Sequence, residues 1–202
     1  PAITATQGAL KASTRKANLE VKALPTTSEM AVALTLPERP VWIGEPVTAH
    51  LDWTVMRDPS DPTFVVPVFD LPDDVTLTPP KVTDPRQAIT FSAGGRDVEL
   101  PFVRDEVQTA RGTATRFRFT FTLTPRRAGA IALPPTSVVA GLAVGRPDFF
   151  GNAATKLFRA ADAPRTLEVR ALPQAGRPTS FAGAVGTGFS LAVRASRSVV
   201  SP

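Results

Sequence analysis

Cysteine is absent from the 202 residues, histidine occurs once, as His50, and methionine only twice. The missing cysteine removes disulfides, thiolate nucleophiles and Cys-based zinc sites in one step. With a single His, a transition-metal site also lacks ligands, so no cofactor is expected. The same absence leaves the compartment open, because the oxidising-compartment rule says only where disulfides can form. With two Met and no Cys the chain has little chemistry for sensing oxidants directly. No apolar run reaches the roughly 18 residues of a spanning helix, and no signal-peptide pattern is seen. Any membrane attachment is therefore expected from parts of a parent protein outside these residues.

Catalytic patterns are missing as well. There is no Gly-x-Ser-x-Gly elbow, and His50 falls on the polar side of an alternating stretch between Thr48 and Asp52, where a solvated histidine is the plain reading. Asp58, Asp61, Asp70, Asp73 and Asp74 crowd turn regions but lack EF-hand spacing, so they read first as turn formers and only second as calcium ligands. No enzymatic activity is expected. The net charge of +5 comes mostly from Arg scattered among acidic residues, not from one basic face, and nucleic acid is not an expected partner.

What is present is turn chemistry and alternation. Hydrophobic residues make up 43%, charged residues 20%, and 21 Pro with 13 Gly break the chain into short pieces, which predicts strands. Val47, Ala49, Leu51, Trp53 and Val55 alternate with Thr48, His50, Asp52 and Thr54, placing Trp53 in the core. The stretch 113–123 is the longest clean alternation, with Phe117, Phe119, Phe121 and Leu123 inward and Arg116, Arg118, Thr120 and Thr122 outward. Further strands are expected over 30–36, 63–71 (with Pro67 marking an edge or bulge), 75–77, 88–91, 98–103, 130–133 and 137–144. Gly94-Gly95 and Arg111-Gly112 are expected hairpin tips, and Asp58 to Pro62 a turn. Together these predict an all-β, immunoglobulin-like antiparallel β-sandwich without the Cys pair of antibody domains.

A repeat organises the chain. Leu19-Glu20-Val21-Lys22-Ala23-Leu24-Pro25 returns as Leu167-Glu168-Val169-Arg170-Ala171-Leu172-Pro173, and upstream Ala5, Lys11 and Ala12 fall opposite Ala153, Arg159 and Ala160. The expected division is an exit strand of a preceding module at 1–25, one complete module at 26–173, and a linker with the opening of a following module at 174–202. Beginning at Pro1 without Met, the chain is expected to be a piece of a longer protein.

Three segments carry a family resemblance. The linker Leu172-Pro173-Gln174-Ala175-Gly176-Arg177-Pro178 with Phe181-Ala182-Gly183-Ala184-Val185-Gly186 resembles the inter-module linker of the BatD family of bacterial aerotolerance proteins. Ile43-Gly44-Glu45-Pro46-Val47 and Leu123-Thr124-Pro125-Arg126-Arg127-Ala128-Gly129 with Ile131-Ala132-Leu133-Pro134-Pro135 are similar to the same family. The resemblance implies tandem β-sandwich modules on the periplasmic face of the inner membrane in an anchored protein. It also implies partners among the von Willebrand factor A domain membrane proteins encoded beside it, and it carries over no catalytic residue. Candidate contact residues are Trp42, Phe149 and Phe150, which are expected to cap module junctions, and Arg116 and Arg118, joined by Arg126 and Arg127 in a basic patch or as guards against edge pairing. The expected function is a non-enzymatic scaffold that binds protein partners. The alternative is a carbohydrate-binding or adhesive module of a secreted protein that stacks sugars on Trp42 or on Phe149-Phe150.

Overall fold

The computed structural model describes residues 4–14, 23–146, 149 and 153–181. In chain order the strands are β1 (Thr4–Gln7), β2 (Leu10–Ser13), β3 (Met30–Thr35), β4 (Val41–Trp42), β5 (Val47–Val55), β6 (Ser60–Val65), β7 (Val75–Thr78) and β8 (Ala88–Ala93). They continue as β9 (Arg96–Thr109), β10 (Gly112–Pro125), β11 (Gly129–Leu133), β12 (Ser137–Val144), β13 (Ala154–Ala161) and β14 (Arg165–Arg170). Short 3-10 turns occupy Pro67–Asp70 and Pro85–Gln87.

One large sheet has the order β3-β5-β10-β9-β8, with β7 pairing along 122–125 of β10. Two smaller sheets run β13-β12-β6 and β11-β14-β4. Inward residues of all three join a single hydrophobic cluster, so the fold is an all-β sandwich. Its ladders are antiparallel, except that β4 lies parallel to β14 and Thr26 makes a parallel bridge to Arg159. Residues 25–26 thus pair with β13, where the Arg159 N–H also donates to Pro25 O at 2.9 Å.

The alternation read from sequence builds the core. β5 buries every second residue from Val47 to Val55, and Phe119, Phe121 and Leu123 of β10 face the same way. Trp53 meets Phe64 of β6 edge-on at 5.2 Å, and Phe91 meets Phe119 at 5.1 Å and 90°. Phe69, delivered by the first 3-10 turn, stands edge-on to Phe121 at 5.1 Å. Each such edge-on pair adds about 0.5–1.5 kcal/mol to the area it buries. The cluster therefore ties the large sheet to β6 through rings and not through hydrogen bonds.

Several expectations are corrected. The strand expected over 63–71 stops at Val65, because Pro67 fixes φ and starts a 3-10 turn that directs Val68 and Phe69 inward. The turn expected at 58–62 gives way to β6 from Ser60 onward, with Asp61 at φ 48. β9 does not end at Val103 but runs to Thr109, paired with β10 as far as the tip before Gly112. Phe117 faces inward as expected yet is only half-buried, because this end of the β9–β10 ribbon outruns β8; Phe102 at 5.2 Å and the Arg104 guanidinium at 5.7 Å flank its ring.

The upstream half of the repeat is not mirrored locally. Residues 4–13 form the β1–β2 hairpin around Gly8 at φ 59, whereas 154–161, which match residues 6–13, form the single strand β13. Gly8 supports the left-handed turn that Lys156, its counterpart in the repeat, does not make. Among the described residues β1 and β2 pair only with each other. Residues 19–22 of the repeated segment, and 182–202 of the proposed following module, lie outside the described residues.

Candidate interaction surfaces

The outer face of the large sheet is a set of cross-strand rows. Arg116 stands opposite Asp105 on β9 and Thr54 on β5, and Arg118 opposite Asp52 and Val103. The Arg118 guanidinium clasps Asp52 through Nε at 2.7 Å and Nη2 at 2.6 Å, and Arg116 grips Asp105 in the same two-pronged way, with Nε at 2.9 Å. Two parallel charge-assisted bonds fix the geometry of each pair. Hydrogen bonding to Arg116 holds the Asp105 carboxyl below its usual range. His50 lies in the next row, with Nδ1 3.0 Å from Thr120 Oγ1.

Arg116 and Arg118 share a face but are neutralised by Asp105 and Asp52, Arg127 pairs with Asp74, and Arg126 donates to Pro72 O at 2.9 Å. The acidic side of these pairs was unreadable because Asp52 and Arg118 lie far apart in sequence and only register brings them together. Among the described residues no three His, Asp or Glu side chains converge as a metal site would require, and Asp74 is taken by Arg127.

Trp42 sits at the end of the module where the chain exits. Its strand pairs with β14, the Ile43 N–H donates to Arg170 O at 3.0 Å and the Gly44 N–H to Pro125 O at 2.9 Å, with Gly44 at φ 79. The Trp42 N–H donates to Glu45 Oε2 at 2.8 Å, and Arg39 pairs with the same carboxylate. Those contacts, the Arg39 bond first, hold the Glu45 carboxyl below its usual range. Trp42 is half-buried here, beside a groove of about 360 Å³ lined by Ile43, Gly44, Ala171, Leu172, Gln174 and Arg177. Phe149 is 98% exposed between β12 and β13, and Phe150 lies outside the described residues.

Sequence reasoning missed two features. The first is Asp162, in the turn between β13 and β14. Its side chain, 6% exposed, accepts the Thr136 N–H at 2.7 Å and the Leu34 N–H at 3.0 Å. One carboxylate thus takes the place of a neighbouring strand at the outer edge of β3 and pins the large sheet to the β11–β12 corner. Only the Ala-Asp-Ala-Pro composition of 161–164 hinted at a turn there.

The second is the unpaired edge of β9. β8 covers 96–101 and ends at Ala88 opposite Pro101, so among the described residues 102–109 has a strand, β10, on one side only. Val103 is 68% exposed on this edge. A groove of about 420 Å³ lined by Arg86, Gln87, Phe102, Val103 and Arg104 opens where β8 stops. Val65 on β6 and Leu157 on β13 are also exposed, and both strands are the outer members of their sheet, β13 being bridged on its far side by Thr26 at Arg159. The alternation of Val103, Asp105 and Val107 was the sequence signal for the extended edge.

No protein-family model matches the chain, and no curated protein matches it. Among the described residues no helix is long and apolar enough to cross a membrane.

Proposed function

We propose that this chain is a non-enzymatic protein-interaction module that binds partners along the edges of its sheets. The observation that carries this reading is the placement of exposed aliphatic side chains on β6, β9 and β13, where Val65, Val103 and Leu157 stand in solvent on strands whose outer side, among the described residues, is unpaired or, in β13, bridged only at Arg159. A strand edge offers main-chain hydrogen bonds for affinity, and alternate side chains supply selectivity. Natural sandwiches usually guard such edges with charge or cover them.

The linker and the segments at 43–47 and 123–135 support placing the module in a BatD-like envelope protein, with the periplasmic face of the inner membrane as its location. In that setting the partners are the von Willebrand factor A domain proteins encoded alongside, and the module contributes to oxygen or stress tolerance as a scaffold. The test is capture by the protein at its full genomic length, with Leu157→Lys and Val65→Lys as edge variants. Recovery of a von Willebrand factor A domain protein, lost in at least one edge variant, is the expected result. Recovery of none of these proteins, or equal recovery by all variants, defeats the reading.

A further inference from the structure

The open segment of β9 carries a charge pattern that matches itself when reversed. Arg104, Glu106 and Phe102 project to the inner side of the sheet, since Phe102 lies opposite the inward Phe119 and Arg104 opposite Phe117. Val103, Asp105 and Val107 project to the outer side with Arg116 and Arg118. Among the described residues neither Arg104 nor Glu106 has an oppositely charged partner, the Arg104 guanidinium lying over the Phe117 ring instead.

We infer that the 102–109 edge of β9 pairs antiparallel with the same edge of a second copy of this chain, about a two-fold axis at Asp105. In an antiparallel ladder directly opposite residues share a face, so a two-fold centred on one residue keeps inner with inner and outer with outer. That register sets Arg104 against Glu106 of the second copy, and Glu106 against its Arg104. Val103 then meets Val107 on the outer face, and Phe102 meets Gln108 beside the groove at Arg86. The two Asp105 carboxylates approach at the axis, but each is already held by Arg116 of its own chain. Shifting the axis to Glu106 opposes the two Glu106 side chains, and shifting it to Arg104 opposes the two Arg104 side chains. Charge therefore selects one register.

The pairing extends the large sheet through the dimer and does not involve β6 or β13, so it stands independently of the envelope reading. It also explains why a charged run sits on this edge: the run that deters other strands is complementary to its own reverse.

Sedimentation equilibrium on the chain tests the inference. The expected result is a monomer–dimer equilibrium in which Arg104→Glu and Glu106→Arg each weaken dimerisation about tenfold or more, since each converts two opposite-charge pairs into two like-charge pairs. The double swap, Arg104→Glu with Glu106→Arg, is expected to restore it to within a few-fold. Glu106→Arg keeps Arg104 over Phe117, so its effect separates pairing from loss of that local contact. A chain that stays monomeric at about 100 μM, a dimer unaffected by both single variants, or a double swap that fails to recover overturns the proposal.

Discussion

Replacing Asp162 tests the closure of the sandwich. Its carboxylate accepts two backbone N–H groups, from Leu34 at 3.0 Å and Thr136 at 2.7 Å, while 6% exposed. In Asp162→Asn the amide has one oxygen for two donors, and its NH₂ faces the second N–H. One buried donor is orphaned, at a cost of about 2 kcal/mol. In Asp162→Ala both are orphaned, giving about 4 kcal/mol. Arg165 Nε, 3.9 Å away on a largely exposed side chain, adds little. With a urea m-value of about 2 kcal/mol/M, the midpoint should fall by roughly 1 M for Asn and roughly 2 M for Ala. Hydrogen exchange should show the Leu34 and Thr136 amides losing protection in the Asn variant more than other amides of β3 and β12. A midpoint shift below about 0.3 M for both variants would refute the claim that one carboxylate closes this edge.

Other outcomes follow from single contacts. A methyl group at Gly141, where β12 slips register against β6, would stand against Ser60 Oγ and 2.7 Å from Thr155 Cγ2, so Gly141→Ala should destabilise by about 1–2 kcal/mol in the same urea assay. Combining it with Ser60→Gly should recover part of that loss. Arg118→Met leaves Asp52, 18% exposed, without its two-pronged partner and should lower stability by about 1–2 kcal/mol, whereas Arg118→Met with Asp52→Leu should be close to neutral. Glu45 and Asp105 have folded carboxyl values below their ordinary 4.5 and 3.8, so their contribution is complete above those ordinary values and is lost as pH falls through the lowered folded ones. Glu45→Gln should therefore flatten the acid limb of a stability–pH profile below about pH 4.5, and an unchanged limb would count against the Arg39 and Trp42 contacts.

The strands of this protein were written in its alternation. Period-two patterning at 47–55 and 113–123 fixes which side chains face inward, because a strand turns successive residues to opposite faces whatever it pairs with. Gly94-Gly95 and the tip before Gly112 were legible for an equally local reason, the positive φ that glycine takes without strain. Pairing partners, edges and closures were not local. That Asp52 neutralises Arg118, that Asp162 reaches across to Leu34, and that β8 stops short and leaves 102–109 open among the described residues are consequences of register between segments far apart in the chain. Alternation tells a residue which way to face; only the assembled sheets decide what it meets there.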